Sequence, residues 1–160
     1  MKEIQLTQGK VALVDDEDFE YLNQWKWYVT KRNYVRRSKE NETLYLHRII
    51  LNVKDKNIFI DHVNMNKLDN RKINLRICNR SQNGMNRNKT SLNSSGYKGV
   101  VFDIRRKKYY AKIKVNQKII FLGYYINCID AARAYNQAAQ KYHGEFAKLN
   151  VIPKENLLNL

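Results

Sequence analysis

An Asp-His pair, Asp61-His62, closes a short apolar run, "IFIDHV"; Asn74 follows twelve positions later and Asn83 nine beyond that. Phosphodiester hydrolysis needs side chains of these types. A water must lose a proton near neutral pH, which suits histidine, whose ordinary pKa lies nearest 7. Charge building on the phosphate and on the departing oxygen must be met, which suits a divalent cation held by oxygen ligands. Neighbouring side chains at a strand end point to opposite faces, so Asp61 can address a cation while His62 addresses the attacking water. On a returning strand, the Asn74 carboxamide can bond the imidazole and fix its orientation. In the first turn of a following helix, Asn83 can aim back at Asp61. Two oxygen ligands completed by water suit Mg²⁺ or a similar divalent ion such as Mn²⁺.

Taken singly these residues mean little. A lone Asp-His pair is ordinarily a surface pair, and asparagine is abundant throughout this chain. The weight lies in all four falling on a strand, loop, strand, helix pattern. "IFIDHV" and "INLRI" are the two apolar pieces, the polar stretch between them is the loop, and Ser81 can cap a short helix in "NRSQNGMNRNK". His47, in "LYLHR", either braces this site or is a satisfied, half-buried histidine.

The elements before the pair read as short strands. "IQLTQGKVALVD" gives two strands about a turn at Gln8-Gly9, and "DDEDFEYLNQW" an N-capped helix with acids in its first turn. "KWYVTKRNYVRRSKENETLYLHR" reads as a meander broken at 31–33 and 40–42. "TSLNSSG", residues 90–96, is small and polar and reads as a linker. Beyond it, "YKGVVFDIRRKKYYAKIKVNQKIIFLGYY" alternates with period two, with turns at 105–108 and 116–117, so three antiparallel strands are expected. "NCIDAARAYNQAAQKYHG" is helical, with an apolar stripe of Ala131, Ala132, Ala134, Tyr135, Ala138 and Ala139 that lies close on the sheet, and Gly144 ends it. His143 stands at the carbonyl end of that helix, where a cation meets the helix dipole. Residues 151–160 form a tail with no assigned element.

Charge points to the partner. Thirty Lys or Arg against fifteen Asp or Glu give +15, which strongly favours a polyanion. With 43% hydrophobic and 11% aromatic residues the chain can still build cores, so it is no basic tail. From Lys67 to Lys118 fifteen basic residues face only Asp69 and Asp103. Arg71, Arg76, Arg80, Arg87 and Lys89 are candidate DNA contacts around the Asp-His segment. Tyr97, Lys98, Arg105, Arg106 and Lys108 are candidates in the later sheet. Tyr110, Lys112 and Lys114 share one face of a strand there, while Ala111, Ile113 and Val115 look toward the helix. A ribbon with a cationic, aromatic outer face fits the major groove of duplex DNA. Two distant cysteines with no CxxC pair speak against a structural zinc site or a disulfide framework. No apolar run approaches the ~20 residues of a membrane span and the start has no signal-peptide core, so an intracellular protein without membrane attachment is expected.

"IDHVNMNKLDNRKINLRICNRSQN", with "LYLHRIIL" before it and the opening "IQLTQGKVALVDDED", resembles the HNH endonucleases, particularly the phage and intron-encoded homing-type group. The resemblance implies a ββα-metal core with His62 as general base, Asn74 as its orienting partner, and Asp61 with Asn83 as metal ligands. The final histidine of the motif's name is Asn83 here; an amide oxygen suits a hard cation and disfavours zinc or nickel. Residues 95–150 resemble an AP2/ERF-type DNA-binding domain through "YKGV", "AKIKV", "LGYY", "AARAYNQAA" and "GEFAKLN". That implies a sheet docked in the major groove, with Lys98, Lys112 and Lys114 facing DNA. Tyr109 stands where that family usually has tryptophan, and Val101 and Asp103 where its base-contacting arginines stand.

The expectation is therefore an α+β protein. Residues 1–89 hold a β-rich segment and the nuclease core, 90–96 the linker, 97–150 the AP2-like sheet on one helix, and 151–160 the tail. It would cut duplex DNA in the cytoplasm of a bacterium or phage-infected cell, one strand per active site, with no obligate protein partner. The competing expectation is a DNA-binding regulator that has lost catalysis; loss of Asp61 or His62 would mark it, and both are present.

Overall fold

Alternation of large apolar with polar side chains builds the first hairpin. In β1 (Lys2–Gln5) Ile4 is buried, and in β2 (Val11–Val14) Ala12 and Val14 are, while their neighbours meet solvent. The strands pair antiparallel about a turn in which Gly9 takes a positive φ of 71°. The fold, a computed structural model, is described for residues 1–40, 42–86 and 93–153. Arg87 and Lys89 lie outside the described residues, as do 90–92 of the expected linker and 154–160 of the tail. The chain divides into two compact units, Met1–Asn83 and Gly84–Leu160. Both are mixtures of small antiparallel sheets and a few helices, an α+β construction.

In the first unit, α1 (Asp16–Leu22) carries Asp16, Glu17 and Asp18 in its first turn. Asp15 stands at the N-cap but makes no cap bond; its carboxylate instead accepts the backbone N–H of Lys72 at 2.7 Å. Strands β3 (Tyr28–Val29), β4 (Val35–Lys39) and β5 (Glu42–Tyr45) form the meander. The meander ends sooner than the apolar pattern suggests, because Leu46–Ile50 coil into a short helix, α2, that buries Leu46 and His47. Trp27, fully buried, donates its indole N–H to the Leu22 carbonyl at 2.8 Å and packs with Ile4, Val14, Leu22, Val35 and Leu46. Then come β6 (Phe59–His62), a 3₁₀ turn at Lys72–Asn74 and β7 (Leu75–Cys78), followed by α3 (Arg80–Met85), whose last two residues, Gly84 and Met85, belong to the second unit. The cap of α3 is Asn79, not Ser81. The Asn79 carboxamide accepts the N–H of Gln82 at 2.9 Å, and Gln82 reciprocates at 2.8 Å, closing a capping box.

In the second unit, β8 (Val100–Asp103), β9 (Lys108–Val115) and β10 (Lys118–Tyr125) form a sheet in the order β10-β9-β8. Asn116 and Gln117 both take positive φ, the geometry of a tight two-residue hairpin. Helix α4 (Cys128–His143) is capped by Asn127, which accepts the N–H of Asp130 at 2.8 Å. Its alanines pack on Val100, Ala111 and Ile113 of the sheet. His143 is buried and its Nε2 lies 3.0 Å from the Lys114 carbonyl, so it ties helix to strand and does not serve as an exposed dipole partner. The approach is close enough that Gly99, at φ +76°, has no room for a Cβ: it would sit 2.1 Å from the Tyr135 ring and 2.7 Å from the Lys112 carbonyl. Gly99→Ala is expected to destabilise this unit by about 2–4 kcal/mol, from overpacking plus left-handed strain, read as a lower urea midpoint. No helix among the described residues is long and apolar enough to cross a membrane.

Candidate active site

The β6–β7 hairpin sets the site's two faces. Register places Asp61 opposite Arg76 and His62 opposite Leu75. Directly opposed residues share a face, so Asp61 and Arg76 lie on one side and His62 on the other. Arg76 donates to Asp61 Oδ2 from Nε at 3.0 Å and from Nη2 at 2.7 Å, and both side chains are largely buried. Arg76, expected among the DNA contacts, thus has its guanidinium on Asp61, because it is Asp61's cross-strand partner.

His62 is buried, with Nε2 3.4 Å from Asn70 Oδ1. Asn70 is itself fully buried and gives its amide N–H to the Lys67 carbonyl at 3.2 Å, which turns its oxygen toward the imidazole. Burial pushes the His62 pKa below the ordinary histidine value, against the opposing pull of Asn70 and Asp61, so the ring is neutral at pH 7. Asn74 does not make the expected bond to this ring. It lies in the 3₁₀ turn before β7, where its Oδ1 accepts from the N–H of Asn64 at 2.9 Å and its Nδ2 donates to the Asp69 carbonyl at 2.7 Å. It therefore braces the loop, and Asn70 takes the place foreseen for it beside the histidine.

That loop, residues 63–73, explains its own polarity. Asp69 is buried and accepts Arg71 Nε at 2.8 Å, Arg71 Nη2 at 2.7 Å and Asn64 Nδ2 at 2.9 Å. The Arg71 bonds hold the Asp69 carboxyl below the usual carboxylate range. Arg71, also an expected DNA contact, is committed to this pair. The loop is further stitched to β2, since Leu13 N–H donates to the Leu68 carbonyl and Asn70 N–H to the Leu13 carbonyl, both at 2.8 Å. Lys72 meets the acids of α1, pairing with Glu17 at 2.5 Å and Asp18 at 3.2 Å.

Beside His62 lies a group the motif spacing does not reveal. The His47 ring centroid is 5.4 Å from that of His62, nearly perpendicular to it, with Tyr34 at 5.5 Å and Tyr45 at 5.7 Å from His47. His47 is buried and its Nδ1 has no hydrogen bond among the described residues, so it is neither half-buried nor satisfied. Burial first, then the charges of His62 and Arg48, push its pKa down to about 3. Between about pH 6.5 and 3 the unfolded chain takes up a proton at His47 that the folded chain refuses, so stability falls as pH drops through that window. The expected loss from pH 7 to 4.5 is about 2–3 kcal/mol from this group. His47→Phe should flatten the pH dependence of the urea midpoint by that amount.

Asn83 lies in α3, and its carboxamide makes no hydrogen bond within the described residues. No group of three His, Cys, Asp or Glu converges among the described residues. Of the two residues expected as oxygen ligands, the Asp61 carboxylate is bonded to Arg76 and the Asn83 amide stands on α3. Such a set fits a hard cation that keeps much of its water, and suits zinc poorly.

On the second unit, Tyr110, Lys112 and Lys114 share the face of β9 opposite to Ala111 and Ile113, as the alternation predicts. Arg105, Arg106 and Lys108 are exposed in and beside the β8–β9 turn, and Arg80 is exposed at the start of α3. Two candidates fall elsewhere. Tyr97 packs against the core cluster under the sheet. Lys98 turns inward, its Nζ donating to the Met85 carbonyl at 2.5 Å, and burial, then Lys148, push its pKa down to about 8. Both are partly buried: the Tyr97 ring is taken up by the core beneath the sheet and the Lys98 ammonium by a backbone carbonyl.

No family model matches the chain and no solved structure matches it. A curated protein of Acanthamoeba polyphaga mimivirus, named as an uncharacterised HNH endonuclease, is 32% identical over 150 residues, which cover 91% of this chain and 77% of that protein.

Proposed function

The chain belongs to the HNH endonuclease family, and from that premise we propose that it is a divalent-metal-dependent DNA endonuclease. The β6–β7–α3 segment is read as its ββα-metal core, and the sheet and helix of the second unit as an AP2-like DNA-binding module. On this reading residues 1–89 do the chemistry, 97–150 grip duplex DNA, and 90–96 link them.

The carrying observation is the buried, neutral His62 beside Asp61, with Asn70 Oδ1 facing its Nε2. That contact favours the tautomer with the proton on Nε2, which leaves Nδ1 as the basic atom for the attacking water. Asp61 and Asn83 are read as the residues that hold Mg²⁺ or Mn²⁺. When bound, the ion would neutralise phosphate charge and stabilise the departing oxygen. Arg76 already holds the Asp61 carboxylate in place with two hydrogen bonds, and Asn74 with Asp69 holds the loop that carries Asn70. Retention of both Asp61 and His62 speaks for catalysis over a binding-only role. One such site per chain makes a nick the expected product.

Supercoiled plasmid incubated with the chain, with and without Mg²⁺, tests this. Conversion to the open circle only with the metal is expected; no conversion with Mg²⁺ or Mn²⁺ would sink the nuclease reading. Asp61→Asn should raise the Mg²⁺ concentration needed for half-maximal nicking.

A further inference from the structure

The outer face of the second unit's sheet carries apolar groups that phosphate contact does not explain. Register pairs Tyr124 with Tyr110, Phe121 with Lys112, and Ile119 with Lys114, which puts all six on the side away from α4. Ile119 is 66% exposed, Phe121 55% and Tyr124 41%. Phe121 touches Tyr124 at 5.1 Å and Tyr110 at 6.2 Å between ring centroids. An apolar centre ringed by cations marks a binding surface more than a solvated one.

We propose that this face reads thymine, with Phe121 and Ile119 against the C5-methyl groups in the major groove and the flanking lysines on the phosphates. The inference rests on the DNA-binding reading above and names what the sheet selects. A second copy of the chain is a poor occupant, because Lys108, Lys112 and Lys114 would face their own likeness on a chain of charge +15. Stacked bases of a single strand fit poorly too. The three rings lean on each other at 36–68°, and Lys112 lies 5.5 Å over Tyr110 while Arg106 lies 5.2 Å over Tyr124. Parallel, uncovered platforms are what stacking needs. In the major groove, by contrast, the thymine methyl is the one apolar group that the bases present, and a strand pair is narrow enough to reach it. Asp103 also lies on this face but is occupied by Arg106 at 3.1 Å and Tyr124 at 3.3 Å, so it leaves the apolar centre undisturbed.

The test uses the full chain in EDTA, where binding is read without cutting. Duplexes enriched from a random-sequence pool are resynthesised with thymidine or with deoxyuridine, which lacks only the methyl. Each contacted methyl lost should weaken binding about fourfold. Phe121→Ala should lose the share of the preference that Phe121 supplies, Phe121→Ala with Ile119→Ala should bind both duplexes nearly alike, and Phe121→Leu should keep the preference. Equal wild-type affinity for the two duplexes, or full discrimination by Phe121→Ala, overturns the thymine reading alone. Failure to bind duplex at all, or tighter binding to the single strand, overturns the duplex reading with it.

Discussion

His62→Ala is expected to lower plasmid nicking by about 10²- to 10⁴-fold, the range a positioned general base contributes, while duplex affinity in EDTA stays near the wild-type value. The separation follows from geometry. His62 is buried on the β6–β7 hairpin and offers no charge at pH 7, so it adds little to the attraction for phosphate. Removing the ring also opens space beside His47 and Asn70, so far-ultraviolet circular dichroism must accompany the rates. Added imidazole can enter that space and restore part of the activity. A variant that folds, binds and nicks at the wild-type rate would remove His62 from the mechanism, whatever the status of the metal.

Asp69→Ala is expected to cost about 3 kcal/mol of stability and most of the activity, although Asp69 is no candidate for touching substrate. Its carboxylate gathers Arg71 and Asn64, and its carbonyl receives Asn74. Truncation leaves the Arg71 guanidinium, 33% exposed, without its counter-charge, and the Asn64 carboxamide and the Arg71 backbone N–H without their acceptor, while the Asn74 bond to the backbone carbonyl remains. The loop that carries Asn70 then loses its frame. Asp69→Asn, which keeps the shape and removes the charge, should fall between. Because Arg71 holds the Asp69 pKa below the carboxylate norm, the stabilisation is present above about pH 4 and is lost as pH falls through the depressed value. Urea titration at pH 7 and pH 3 reads both effects.

Much of this was legible in the residues and some was not, for definite reasons. Strands announce themselves by period two, and the alanine stripe of α4 by its helical period, since both patterns are imposed by one-sided burial. The placing of Asp61 and His62 on opposite faces of a strand paired with 75–78 was legible because the strand, loop, strand pattern limits what can face what. Which asparagine meets His62 was not legible. Asn64, Asn66, Asn70 and Asn74 offer identical chemistry, and only the path of the loop along β2 brings Asn70 to the ring. His47 hid in a five-residue helix, too short for any period to show. Lys98 and Arg76 read as free cations because sequence charge says nothing about a carbonyl or carboxylate brought to them by the fold.

Asn150 bonds both the N–H of Lys98, at 2.7 Å, and its carbonyl, at 3.0 Å, and is itself held by Asn136. The stretch leading into the sheet and the stretch leaving the helix are thereby fastened side by side. A module whose entrance and exit meet at one point can be lifted from one host and set into a loop of another without straining either. On the proposed reading of this unit as the grip on duplex DNA, recombination between genes costs little architecture, and a change of target can come by exchange of the whole cassette as readily as by point substitution.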